Sequence, residues 1–107
     1  MLITYGPGEY IEGSRRFKGR IMLSDHKLYL EGPDGDITAT YIPLEKIVRV
    51  RRTMIGLAVR IRASMVKDSW ALLKGPFRSL SDLTRDLVNK RNFKKRFLWP
   101  EWFDESA

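Results

Sequence analysis

Residues 48–63 read VRVRRTMIGLAVRIRA, and their hydrophobic pattern is the clearest indication of secondary structure in the chain. Apolar residues take alternate positions on both sides of a Thr53–Gly56 turn, and arginines fill the positions between them. Strict alternation with period two is typical of strands that bury one face and expose the other. The stretch therefore predicts an antiparallel hairpin whose outer face carries four arginines: Arg49, Arg51, Arg60 and Arg62.

Alternating and apolar segments continue toward the N-terminus. Residues 20–42 contain three short apolar runs, separated by the polar turn segments Ser24–His26 and Gly32–Asp36. These runs predict further antiparallel strands. Met1–Gly8 contains two glycines and a proline, and it is predicted to be a loop.

The hydrophobic period changes from two to 3.6 after Pro76, which indicates a helix. Ser79 is the predicted N-cap, because Asp82 follows three residues later in a variant of the capping box. The sequence predicts one amphipathic helix at about 79–92, with a buried stripe that consists of Leu80, Leu83 and Leu87.

Together these elements predict a mainly β fold in a single domain. A chain of 107 residues with 43% hydrophobic residues has the size and the core of one domain. Six or seven antiparallel strands and one C-terminal helix suit a small barrel or sandwich that the helix closes. We expect this domain to span 1–93, and 94–107 to form an aromatic and cationic tail with an acidic end.

Composition excludes several classes of function. The 20 Lys and Arg residues exceed the 13 Asp and Glu residues, and the net charge of +7 favours an anionic partner. The chain has no cysteine and one histidine, so disulfides, thiolate sites and multi-histidine metal sites are excluded. No catalytic motif is present, and we expect a non-enzymatic protein without metal or cofactor.

The sequence also bears on location. No apolar run approaches the ~20 residues of a membrane span. No signal peptide is visible, which favours the cytoplasm or the periphery of a membrane.

Three segments carry a resemblance to a known superfold. Residues 19–24 (GRIMLS), 28–30 (LYL) and 42–47 (IPLEKI) resemble the pleckstrin-homology-like superfold, and in detail its GRAM-like branch. The same segments are similar to the N-terminal part of the archaeal taxis adaptor family, whose members are longer. The resemblance covers Gly19 to Leu87 and implies a binding module without catalysis, which recognises lipid headgroups or proteins.

A first candidate site lies at the entrance to the second predicted strand. Lipid-binding pleckstrin-homology domains carry basic residues in their first hairpin loop, and Lys18-x-Arg20 partly resembles the end of that motif. Converging cations hold phosphates, with Arg making bidentate contacts. The alternative is a solvated loop with scattered charge. The candidate residues are Arg15, Arg16, Lys18 and Arg20.

The second candidate site is the arginine face of the central hairpin. Like charges opposite each other in a sheet are unfavourable, and no Asp or Glu lies between Lys46 and Lys67. This face either serves an acidic protein or an anionic lipid surface, or it is a solvent face with acidic neighbours from elsewhere in the chain. We do not expect nucleic acid as the partner, because no RNP-type motif, helix-turn-helix or zinc finger is present.

The third candidate is the tail. Its aromatic residues can insert at a bilayer interface beside cations, or they can pack on the domain or on a second copy of the chain. The second alternative makes the protein a self-assembling or protein-interaction adaptor, and a homo-oligomer. The candidate interface residues are Phe97, Trp99, Trp102 and Phe103.

Overall fold

The computed structural model of the chain describes residues 2–32, 40–62, 69–98 and 101–105. These residues form nine strands, one α-helix and one 3-10 turn at Leu44–Lys46. The elements are β1 (Ile3–Glu12), β2 (Arg15–Leu23), β3 (Lys27–Glu31), β4 (Thr40–Pro43), β5 (Ile47–Arg52), β6 (Leu57–Ile61), β7 (Ser69–Lys74), α1 (Phe77–Arg91), β8 (Lys94–Leu98) and β9 (Glu101–Asp104).

All nine strands belong to one antiparallel sheet with the order β4-β3-β2-β1-β7-β6-β5-β9-β8. The mainly β class with one helix is confirmed. The expected count of six or seven strands is wrong, because residues after Asn92 add β8 and β9 to the sheet. Among the described strands β4 and β8 are the two edges, so the described sheet is open.

The predicted loop at Met1–Gly8 is wrong from Ile3 onward, because β1 begins there. Gly6 has a φ of +91° and lies at a register shift in the pairing of β1 with β2. At Gly8 a Cβ atom would lie 2.3 Å from Cδ1 of Ile21. These glycines let the strand bend and pack closely on the core, a use of glycine that resembles a loop in sequence.

The central hairpin is confirmed. Val50 and Val59 lie opposite each other on β5 and β6 and are fully buried, so the arginines beside them face outward. A register shift between Ile47 and Arg49 changes the alternation at the start of β5. As a result Ile47 is buried and Val48 is only partly buried, whereas strict alternation predicts Val48 in the core.

The helix is longer at its N-terminus than its sequence pattern predicts. Ser79 as the N-cap is wrong, since Pro76 is the N-cap and its carbonyl accepts a hydrogen bond from Leu80 N–H at 3.0 Å. Helix α1 ends at Arg91, and the residue that caps it, Asn92, has a left-handed φ of 54°. The predicted leucine stripe is buried in the main core, together with side chains from seven strands and Phe93.

Tyr5 ties β1 to the helix. Its hydroxyl donates a hydrogen bond to Oδ2 of Asp86 at 2.5 Å, and burial together with this carboxylate raises the pKa of Tyr5. We expect Tyr5→Phe to lower the free energy of unfolding by about 1 kcal/mol, the usual worth of such a bond. Urea denaturation measures this. Tyr29→Phe is the control, because the described residues give its hydroxyl no hydrogen bond; equal losses for the two variants would contradict the expectation.

Candidate functional site

The last described residues reach the arginine face of the central hairpin. Strand β9 pairs with β5 so that Phe103 lies opposite Val50 and Asp104 lies opposite Arg49. Because successive side chains of a strand point to opposite faces, Phe103 packs against the core and Asp104 lies on the outer face. The acidic end of the tail is therefore brought to the arginines.

These residues surround a cavity of about 320 Å³, which we call the arginine cavity. It lies where β5 begins, β6 ends and β9 passes beside them. Four of its lining residues are cations, and two are acids from the end of the tail. The lining consists of Val48, Arg49, Arg60, Arg62, Arg96, Asp104 and Glu105.

Each acid accepts hydrogen bonds from two arginines. Asp104 receives Arg49 Nη2 at 3.2 Å and Nε of Arg96. Glu105 receives Arg62 Nη2 at 2.8 Å and Arg91 Nη2 at 2.6 Å. Within the lining, four guanidinium groups face two carboxylates, an excess of two positive charges; Arg91 contacts Glu105 from outside the lining.

Two of the arginines lie against indole rings. The guanidinium carbon of Arg49 is 5.2 Å from the centre of the Trp102 ring, and that of Arg60 is 6.0 Å from the Trp70 ring. Stacking of this kind fixes a planar guanidinium without using its terminal donors. Two of the four cations of the cavity are therefore held against aromatic rings before any ligand arrives.

The structure brings three of the four predicted arginines together: Arg49, Arg60 and Arg62. Arg51 shares their outer face but lies opposite Ala58 and Trp102, outside the cavity. Sequence reasoning missed Arg91, Arg96 and the two acids as parts of this site. The only signal for the acids was the charge reversal at the end of the chain.

The first candidate constellation is divided between two places. Lys18 and Arg20 line a large groove of about 850 Å³, together with Lys74. Glu9 and Glu31 line the same groove, and their negative charges balance two of its three positive charges. Its floor also includes four glycines from neighbouring strands and their ends: Gly8, Gly19, Gly32 and Gly75.

The other two residues of that constellation make local contacts. The guanidinium carbon of Arg15 is 5.2 Å from the centre of the Phe17 ring. Arg16 forms an exposed ion pair with Glu9 at 3.5 Å. Neither lines the large groove, so the four cations do not converge on one point.

Two of the four candidate interface residues of the tail contact their own chain. Phe103 packs against the core, and Trp102 lies beneath Arg49. Phe97 is part of β8, where its backbone pairs with Trp102. The side chain of Phe97 and the whole of Trp99 lie outside the described residues, as do the predicted turn after Gly32 and Ala63.

Across residues 2–32, 40–62, 69–98 and 101–105, no three His, Asp or Glu side chains are grouped to hold a metal ion. None of the helices described is long and apolar enough to cross a bilayer. Comparisons with protein-family models, curated proteins and solved structures found no match.

Proposed function

We propose that this protein is a non-enzymatic binding module that engages an anionic partner through the arginine cavity. The partner is a phospholipid headgroup or an acidic protein surface. The observation that carries the proposal is the excess of two positive charges in the lining of one cavity, where four arginines meet two acids. We further propose a pleckstrin-homology-like barrel or sandwich of the GRAM-like branch, supported by the antiparallel strands that precede a single long helix.

The chemistry of the cavity suits oxyanions. Guanidinium groups bind carboxylates and phosphates through two parallel hydrogen bonds, and such charge-assisted bonds are stronger than neutral ones. Asp104 and Glu105 already occupy part of the cavity, and each accepts single hydrogen bonds from two arginines. An incoming anion would use the remaining donors, or it would displace these two carboxylates.

A second candidate is a self-assembling or protein-interaction adaptor that uses the tail. Its support is that β8 is an edge of the described sheet, and edge strands offer backbone groups to another chain. Light scattering over a wide range of protein concentration tests self-assembly. A constant monomer mass would remove it and leave only the adaptor for a different protein.

Replacing Arg62 tests the main proposal. Its side chain is 55% exposed, and Glu105 keeps Arg91 as a partner when Arg62 is lost, so the fold should tolerate Arg62→Gln. We expect binding to vesicles that contain phosphatidylserine, or to a glutamate-rich peptide, to weaken about fivefold, because one cation near an anionic surface contributes about 1 kcal/mol. Vesicle binding is measured by sedimentation, and peptide binding is measured by fluorescence anisotropy.

The matched control is Arg85→Gln. Arg85 is also an exposed, ion-paired arginine, but it lies on α1 and contacts Asp82. Equal weakening by both variants would show that only net charge matters. If the unaltered chain binds neither probe, the proposed function is wrong.

A further inference from the structure

The turn between β5 and β6 is closed by its own hydrogen bonds. The hydroxyl of Thr53 donates to the Gly56 carbonyl at 2.9 Å and accepts from Gly56 N–H at 3.0 Å. Thr53 N–H also donates to the Gly56 carbonyl, at 2.8 Å. The two residues between them, Met54 and Ile55, are 95% and 64% exposed. The turn is thus a defined structure that holds two large apolar side chains in water.

A third exposed apolar residue lies at the same end of the sheet. Leu57 pairs with Leu73, so the β5–β6 turn lies where β7 ends and α1 begins. Phe77, the first residue of α1, is 78% exposed. Arg52 connects the end of β5 with the start of α1, because its guanidinium carbon is 4.7 Å from the centre of the Phe77 ring. We call Met54, Ile55 and Phe77 the apolar tip.

The charges around the apolar tip have one sign in the segments that form it. Residues 50–57 and 74–81 contain four cations and no acid: Arg51, Arg52, Lys74 and Arg78. The carboxylate whose charge acts on Arg52 is Glu101, and it is paired with Lys95 at 2.9 Å. Lys74 lies opposite Glu9 in the sheet, so the cations left beside the exposed apolar side chains are Arg51, Arg52 and Arg78.

We propose that the apolar tip docks on the surface of an anionic lipid bilayer, with Met54 and Ile55 entering the interface. Large apolar side chains are costly to leave in water and mark contact surfaces. A bilayer interface accepts such side chains, and its anionic headgroups attract the cations beside them. The tip is a convex turn, which suits a deformable lipid surface, whereas a protein partner needs a matching pocket.

This surface is distinct from the arginine cavity. The cavity lies at the start of β5, around Arg49, whereas the tip follows its last residue, Arg52. The inference goes beyond the proposed function, because it names a second surface with apolar as well as electrostatic contacts. It also names a lipid bilayer, rather than an acidic protein, as the partner of that surface.

The absence of cysteine from the chain makes a site-specific test simple. Met54→Cys carries a single environment-sensitive fluorophore, and Tyr41→Cys, on strand β4 and 51% exposed, is the matched control. With phosphatidylserine-containing vesicles, we expect a blue shift and an intensity gain for the label at 54 but not for the label at 41. No change at 54, or equal changes at both positions, would overturn the proposal.

A second measurement uses unlabelled protein. We expect Met54→Ser combined with Ile55→Ser to weaken partitioning into the same vesicles about tenfold, roughly the effect of two methylene groups returned to water. Tyr41→Ser should change it little. If the double variant keeps vesicle binding but loses binding to the glutamate-rich peptide, the tip contacts protein and the lipid proposal is wrong.

The two proposals can fail separately. The labelled Met54→Cys chain is also prepared with Arg62→Gln and tested on vesicles and on the glutamate-rich peptide. A retained blue shift with weaker peptide binding supports both surfaces. A label at 54 that stays silent on vesicles, in a chain that binds the peptide, rejects the tip alone.

Discussion

Gly19→Ala is expected to destabilise the folded chain by about 3 kcal/mol, the upper end of what an overpacked site costs. A Cβ atom at this position would lie 2.1 Å from the carbonyl oxygen of Glu31 and 2.9 Å from its carbon. The obstacle is backbone of the neighbouring strand rather than a movable side chain. Strands β2 and β3 must therefore separate around the Arg20–Glu31 pair, and hydrogen bonds between them are weakened.

Gly13→Ala is the matched control for this effect. Gly13 has a left-handed φ of +60°, and no atom lies within 4 Å of the Cβ that alanine would add. Its expected cost is about 1 kcal/mol, which comes from backbone conformation alone. Urea denaturation of both variants separates the two causes. Equal losses would mean that contact with Glu31 does not decide the value.

Sequence periodicity predicted the parts of the fold that rest on local pattern. The β5–β6 hairpin and the leucine stripe of α1 follow from periods of two and 3.6, which burial imposes directly. The register shift after Ile47 was not predictable, because one extra residue in a strand leaves no mark in composition. The strand at Ile3–Gly8 was missed because glycines that permit close packing resemble glycines of a loop.

Only the basic residues of the candidate site could be predicted from the sequence. The outward arginines of the central hairpin follow from alternation, but their acidic partners come from 55 residues away, as in the Arg49–Asp104 pair. Nothing in a local pattern states that β9 will pair with β5. The charge reversal at Asp104 and Glu105 was visible in the sequence, but its position against the arginines depends on tertiary structure.

The apolar tip shows the opposite case, because part of it is visible in the sequence of a predicted turn. Met54 and Ile55 stand between polar turn residues, where apolar side chains have no core to enter. Phe77 is 22 positions beyond Ile55, and its place near Arg52 depends on the β6–β7 register. Two of the three residues could therefore be suspected from sequence, and the third could not.

Removing both acids of the arginine cavity is expected to strengthen its binding of anions. In Asp104→Asn combined with Glu105→Gln, the excess in the lining of the cavity rises from two positive charges to four. At about 1 kcal/mol for each charge near an anionic surface, affinity for phosphatidylserine-containing vesicles should rise about thirtyfold. The physical reason is that the two carboxylates compete with the partner for the same guanidinium donors.

The change in net charge has to be separated from this competition. Glu45→Gln combined with Asp82→Asn removes two exposed or half-exposed carboxylates elsewhere, and it also changes the net charge from +7 to +9. Long-range attraction is then equal in the two double variants. Their difference in affinity, measured by vesicle sedimentation at low and moderate salt, isolates the local effect, and salt should screen the shared long-range part more strongly.

The sign of that difference decides what the acids do. A tighter Asp104→Asn, Glu105→Gln variant means that the tail occupies the cavity until a stronger anion replaces it. Weaker binding than in the control would contradict the competition, because it would show that the carboxylates hold Arg49 and Arg62 in a binding geometry. Urea denaturation of the same variant tests whether weaker binding comes from unfolding. We expect the variant to stay folded, since partly exposed ion pairs contribute only about 0.2–1 kcal/mol each. A folded variant with weaker binding would therefore identify the acids as positioning residues.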